Sequence, residues 1–90
     1  MAAAATAAVD VMMREPWRAA ALRRNGQALL TKARACGLDT GLSIGASVVP
    51  VIVGNSPQTV MLSERLLERG FNVVPAVFPG VAENQARLRF

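Results

Sequence analysis

The sequence has 90 residues, of which 52% are apolar and 18% charged, and its formal net charge is +4. A chain of this length and composition forms one small globular domain and is too apolar for a disordered segment. It has no histidine and one cysteine, which excludes histidine-based triads, histidine- or cysteine-ligated metal sites and internal disulfides, and argues against a self-contained enzyme. The lone cysteine and the lack of a convincing targeting or membrane-spanning segment predict a cytoplasmic protein.

The first 36 residues predict two helices. Residues 2–14 are rich in alanine, valine and methionine, which are mostly good helix formers. Pro16 predicts a break after them because it cannot donate to a helical ladder. Residues 17–36 form the second predicted helix, which Gly37 ends. Its apolar positions recur every three to four residues and predict a core-facing stripe made of Trp17, Ala21, Leu22, Leu29, Ala33 and Cys36.

The positive charge is concentrated in this helical segment. Six basic residues precede Gly37 against two carboxylates, whereas four arginines and four carboxylates balance one another after it. A basic helix is typical of a solvated face or of a surface that docks on a partner, and nucleic-acid binding is an alternative. The six basic residues are Arg14, Arg18, Arg23, Arg24, Lys32 and Arg34.

A loop, a strand and a helix are predicted next. The glycine- and serine-rich run 41–47 predicts the loop, and the β-branched run 48–53 predicts the strand, in which Pro50 indicates an edge or a bulge. Ser56 and Pro57 predict the cap and the first residue of a helix. This helix runs to about Arg69 before Gly70, and its core candidates include Val60, Met61 and Leu67.

Two further strands complete the predicted fold. They are residues 71–77, weakened at Pro75, and residues 86–90, with a loop between them. We therefore predict an α+β domain over residues 1–90, divided into a helical segment at 1–36 and a strand–helix–strand–strand core at 41–90. Its small, mainly antiparallel three-stranded sheet carries helices packed on one face. Because the last predicted strand ends at the final residue, we expect the chain to be a fragment of a longer protein.

The last predicted strand contains the candidate functional residues. Its alternation places Ala86, Leu88 and Phe90 on the face toward the helices, and Arg87 and Arg89 together on the other face. Arginine suits a carboxylate or phosphate because its planar guanidinium donates two parallel hydrogen bonds. The pair predicts an anion-binding site.

Three motifs in order resemble the C-terminal small domain of the α-oxoamine synthases, a branch of the fold-type I pyridoxal-phosphate enzymes with the aminotransferase class I/II fold. The resemblance covers nearly the whole chain. The first motif reads Val-Pro-Val-Ile-Val-Gly at 49–54, and the second reads Leu-Leu-Glu-Arg-Gly-Phe-Asn-Val at 66–73. The third reads Pro-Gly-Val-Ala-Glu-Asn-Gln-Ala-Arg-Leu-Arg at 79–89. Gly80 and Ala82 depart from the family's usual threonine and proline, and Asn84 stands where glycine is common.

The resemblance implies a transferase that uses pyridoxal 5'-phosphate to condense an amino acid with an acyl-CoA or another acyl thioester. By position, Arg89 corresponds to the arginine that holds the substrate carboxylate, and Arg87 is a second candidate for substrate binding. The family's Schiff-base lysine lies in a large cofactor-binding domain upstream, so Lys32 is expected to be a surface residue. The expected partners are that large domain and a second subunit of a homodimer. The chain alone is expected to be inactive and to bind no cofactor.

Two other interpretations remain from the residues. A freestanding module would use Arg87 and Arg89 to bind a small carboxylate or phosphate. An interaction or nucleic-acid module would use the basic helix.

Overall fold

The computed structural model describes all 90 residues, and they form three helices and three strands. In chain order these are α1 (Ala2–Arg14), α2 (Trp17–Ala35), β1 (Pro50–Gly54), α3 (Ser56–Glu68), β2 (Val74–Ala76) and β3 (Ala86–Arg89). The predicted order of elements is confirmed. The strands are shorter than predicted, and β2 has three residues where the sequence pattern predicted 71–77.

The three strands form one antiparallel sheet in the order β1-β3-β2. The strand that comes last in the sequence therefore lies in the centre, and both proline-containing strands lie at the edges. Pro50 and Pro75 each lack an amide donor, and an edge strand needs donors on one side only. Of the two alternatives predicted from Pro50, the edge position is therefore confirmed, and the β1–β3 register shifts only further along the strand, between Ile52 and Gly54.

One face of the sheet is buried beneath helices. Leu88 pairs with Val51 on one side and Pro75 on the other, so these three side chains share a face. Ala86 and Leu88 on this face are 0% and 4% exposed. The predicted alternation along β3 is confirmed, because its apolar residues turn toward the helical layer.

Helix α3 covers this buried face and contacts all three strands. Its most buried residue is Thr59, whose hydroxyl donates to the Asn55 carbonyl at 2.7 Å. The Ser63 hydroxyl donates to the Val73 carbonyl at 2.7 Å, which fixes the helix to the chain just before β2. The predicted core positions of α3 are wrong, because the small polar side chains make the close approach while Val60, Met61 and Leu67 are exposed.

The cap of α3 also differs from the prediction. The Asn55 side chain, rather than that of Ser56, accepts a hydrogen bond from the Gln58 amide at 3.0 Å. Ser56 is already helical, and its hydroxyl accepts a weak bond from the Phe78 amide at 3.4 Å. At the other end, Gly70 is the predicted glycine that ends the helix, with a φ of 92° that favours glycine.

Helix α2 packs through its C-terminal half. Leu30 and Ala33 are buried, whereas Trp17, Leu22 and Cys36 of the predicted stripe are exposed. The helix ends in the pattern predicted from Gly37: the Leu38 amide donates to the Ala33 carbonyl at 3.0 Å.

Helix α1 has no buried residue, and α3 is the helix that packs across the strands. Helix α2 lies beside the buried face, where its residues share the lining of one cavity with Val49, Val51 and Phe90. The chain contains no helix whose length and apolar content would let it cross a bilayer.

Candidate functional site

The uncovered face of the sheet carries both predicted arginines. Arg89 lies between Pro50 and Val74, and Arg87 lies between Ile52 and Ala76, in the register of the three strands. Directly paired residues of neighbouring strands project to the same side. We call this surface the arginine face, and its residues are Pro50, Ile52, Val74, Ala76, Arg87 and Arg89.

The two arginines are surrounded by apolar side chains on both neighbouring strands. Their Cα atoms are separated by two residues of extended chain, about 6.7 Å, so the guanidinium groups extend from adjacent rows of the same surface. Apolar neighbours accept no hydrogen bonds and lower the local polarity, which strengthens the attraction between a guanidinium and an anion. The sequence predicted that the two arginines share a face. It did not predict their apolar neighbours, because these depend on the order of the strands in the sheet.

Arg87 and Arg89 differ in their own contacts. Arg87 is half-buried, and its Nε donates to the Gln85 carbonyl at 3.1 Å. Arg89 is exposed and makes no side-chain hydrogen bond within the chain. Neither forms an ion pair, because the two ion pairs of the chain join Asp10 to Arg14 and Glu15 to Arg18. Arg89 therefore has its full set of donors available for a ligand.

A loop borders the arginine face along the outer edge of β1. The Ile52 amide donates to the Asp39 carbonyl at 2.7 Å, so residue 39 continues the hydrogen bonding of the sheet beyond β1. A side chain at Gly41 would begin 3.8 Å from the Ile52 Cδ1 atom, which locates the loop beside the Ile52 side chain. The sequence predicted residues 41–47 as a loop but gave no signal for this long-range pairing.

The N-terminus of α3 offers a second polar cleft, of about 370 Å³. Its lining includes Asn55 and Glu83. The Asn55 side chain already satisfies one of the free helix amides, and the Glu83 carboxylate opposes an anion. The cleft is therefore a poorer anion site than the arginine face.

Asn84 adopts a left-handed backbone conformation in the turn before β3, with a φ of 59°. Asparagine tolerates this region better than most residues, so the turn has a conformation that glycine would also allow. This turn directs the chain into β3, where Arg87 and Arg89 lie three and five residues after Asn84.

Lys32 lies on the other side of the sheet. It is exposed and borders an apolar cavity of about 240 Å³ between α2 and the buried face, which Val51 and Phe90 also line. The structure therefore separates Lys32 from the arginine face by the thickness of the sheet. Cys36 lines the same cavity.

Half of the six basic residues of the helical segment are engaged within the chain. Arg14 and Arg18 form the two ion pairs, and the Arg18 guanidinium lies 4.8 Å from the centre of the Trp17 ring. Arg34 donates to the loop that follows α2. The remaining exposed cations are Arg23, Arg24 and Lys32.

Comparison with curated proteins finds relatives that match almost the whole chain. It is 40% identical over 88 residues to a putative 8-amino-7-oxononanoate synthase of Geobacillus kaustophilus, with 98% of this chain and 22% of that protein covered. It is 37% identical over 89 residues to an 8-amino-7-oxononanoate synthase of Symbiobacterium thermophilum, with 99% and 22% covered. It is also 37% identical over 89 residues to 4-hydroxy-2,2'-bipyrrole-5-methanol synthase PigH of a Serratia strain, with 99% and 14% covered.

The chain thus spans about a fifth or less of the length of these relatives. No protein-family model matches it.

Proposed function

The chain is homologous over its whole length to the C-terminal small domain of the α-oxoamine synthases, and from this premise we propose that it acts as the substrate-binding small domain of such an enzyme. The enzyme would condense an amino acid with an acyl thioester. In this proposal Arg89 holds the carboxylate of the amino acid. The partners are a large cofactor-binding domain and a second subunit of a homodimer.

One observation carries the assignment of Arg89: it is exposed on the uncovered sheet face and has no partner of its own. A guanidinium with all its donors available binds a carboxylate through two parallel hydrogen bonds. Its neighbours Pro50 and Val74 offer no competing acceptor. Its role would be to fix the orientation of the amino acid, which is catalysis by positioning.

Arg87 is the second candidate and has a different part in the proposal. Its Nε is bonded to the Gln85 carbonyl, which leaves the two terminal nitrogens for a ligand. It adds positive charge to the same face and attracts the substrate without determining its orientation. We therefore expect a smaller effect from its removal than from that of Arg89.

The residues of this chain do not fit pyridoxal phosphate by themselves. Its one lysine lies on the helical side of the sheet, next to an apolar cavity, and the arginine face has no lysine within its strands. The proposal therefore assigns the cofactor to the large domain. When bound there, the cofactor supplies an electron sink for the amino acid.

The relatives support a reaction class and no particular substrate. The relatives are named for different products, an oxononanoate in two cases and a bipyrrole methanol in the third. Similar sequences thus occur in enzymes with different products, which favours a shared role for this domain, such as holding a carboxylate.

Substitution of Arg89 in the enzyme that contains this chain tests the proposal. We expect Arg89→Ala to lower kcat/KM for the amino acid by roughly 10- to 100-fold, the range for loss of a charged hydrogen bond. Arg89→Lys keeps the charge but not the paired donors, so we expect an intermediate value. The absorbance of the bound cofactor and the KM for the acyl thioester are expected to change little.

Arg65→Ala is the matched control. Arg65 is an exposed arginine of α3, on the helical side of the sheet, and we expect its removal to leave amino-acid kinetics unchanged. Equal kinetics for the wild-type enzyme and Arg89→Ala would reject the assigned role.

A further inference from the structure

We infer that Arg34 is a positioning residue for the arginine face: it holds the loop of residues 39–46 against β1 and thereby fixes one wall of the substrate site. The inference rests on the proposed function for the identity of that site. The hydrogen bonds and close contacts of the loop support the positioning role of Arg34.

Arg34 lies in the last turn of α2 and makes two bonds to the loop. Its Nε donates to the Thr40 hydroxyl at 3.4 Å, and its Nη2 donates to the Ser43 carbonyl at 3.0 Å. Thr40 is 4% exposed, so the guanidinium meets a buried side chain at one end and backbone at the other. Hydrogen bonds from a charged donor are stronger than neutral ones.

Two other residues of α2 hold the far end of the same loop. The Gln27 side-chain amide donates to the Ile44 carbonyl. Gly26 is so close to the loop that a Cβ atom there would lie 2.2 Å from the carbonyl oxygens of Gly45 and Ala46. The loop is therefore attached to α2 at both ends, and Arg34 forms the attachment nearer to the sheet.

The attached loop reaches the arginine face through Asp39 and Gly41. The Asp39 carbonyl accepts the Ile52 amide at 2.7 Å, and Gly41 lies beside the Ile52 side chain. Ile52 pairs directly with Arg87. The residue that Arg34 bonds, Thr40, lies between these two contacts in the chain, so movement at Thr40 is transmitted to both.

Its contacts with the loop distinguish Arg34 from the exposed cations of the same helix. Arg23 lies on the same helix, is exposed, and makes no side-chain hydrogen bond or ion pair. Arg34 therefore acts within the domain, whereas the basic composition of the helix suggested an outward-facing role for the whole set.

The test uses Arg34→Met in the complete enzyme, with Arg23→Met as the matched control. Methionine keeps an unbranched apolar stem but removes the guanidinium and its donors. We expect KM for the amino acid to rise roughly three- to tenfold, the range for loss of surface hydrogen bonds, with kcat nearly unchanged. We expect hydrogen exchange at the Ile52 amide to accelerate by about tenfold, because the local opening of the loop becomes easier.

Two further variants keep the test independent of global stability. Thr40→Val preserves the buried volume and removes the acceptor, so we expect it to accelerate exchange at Ile52 in the same direction. Arg34→Lys keeps the charge but has one donor nitrogen in place of the guanidinium's three, and we expect partial restoration of KM. Exchange at the Phe90 amide, which pairs with the Val49 carbonyl at 3.1 Å, reports on the sheet and is expected to stay unchanged.

Unchanged exchange at Ile52 in Arg34→Met would overturn the inference. So would faster exchange with an unchanged KM in an enzyme whose KM responds to Arg89→Ala, because the loop would then not bound the site. If Arg89→Ala itself leaves the kinetics unchanged, the proposed function fails, and the assignment of Arg34 to that site fails with it.

Discussion

At the scale of single residues, the two arginines show what strand alternation predicts and what it does not. Alternation correctly predicted that Arg87 and Arg89 share a face, because it depends only on local chain geometry. It did not distinguish them. The difference arises from the bond between Arg87 and the Gln85 carbonyl, which depends on how the preceding turn enters β3.

At Gly26, whether alanine raises or lowers the free energy of unfolding shows whether α2 lies close to the loop. In an exposed helix interior, replacing glycine with alanine stabilises a protein by about 1 kcal/mol. Here the added Cβ would lie 2.2 Å from two loop carbonyl oxygens, and overpacking of this kind costs roughly 1–3 kcal/mol. We therefore expect Gly26→Ala to lower the free energy of unfolding by about 1–2 kcal/mol in chemical denaturation.

Asn25→Ala is the neighbouring control, since Asn25 is exposed on the same helix and alanine has the higher helix propensity. It is expected to leave stability unchanged or slightly increased. A stability gain in Gly26→Ala would contradict the close approach of α2 to the loop.

At the scale of elements, the C-terminal ends of the helices were more predictable than their faces. Gly37 and Gly70 end their helices as predicted, because a left-handed residue after a helix has a strong local signature. Which face of a helix is buried depends on the residues that pack against it. Helix α2 buries Leu30 and Ala33, and its apolar periodicity alone gave no indication that Trp17 and Leu22 stay exposed.

The two candidate caps of α3 can be separated by substitution. Asn55→Ala removes the side-chain acceptor for the Gln58 amide, and loss of an N-cap costs about 1 kcal/mol. Ser56→Ala removes only the long bond to the Phe78 amide at 3.4 Å, so we expect a change below about 0.5 kcal/mol. Urea denaturation of both variants measures the difference, and a larger loss in Ser56→Ala would restore the sequence-based assignment of the cap.

At the scale of the whole molecule, the sequence predicted the fold class and a sheet face shared by Arg87 and Arg89, but not the loop that borders this face. Strand propensity, proline positions and alternation are local, and together they indicated an antiparallel sheet with one uncovered face. The central position of β3 and the pairing of Asp39 with Ile52 join residues far apart in the chain. Such contacts are decided by packing of the complete domain, and no short motif encodes them.

The arrangement of the molecule supports the proposal that the uncovered face binds the substrate. Helix α3 covers the other face, and the 39–46 loop borders the β1 edge. The remaining surface combines two cations with an apolar frame, which matches a carboxylate ligand approached from outside the domain.

The most direct test of the central claim compares the binding of an amino-acid substrate with that of its carboxamide, in the complete enzyme without the acyl thioester. The carboxamide differs in the group that Arg89 is proposed to hold. We expect wild-type enzyme to bind the amino acid roughly 10- to 100-fold more tightly, and Arg89→Ala to bind the two ligands within about threefold of one another. An equal preference for the carboxylate in both proteins, measured as the ratio of the two Kd values, would contradict the account.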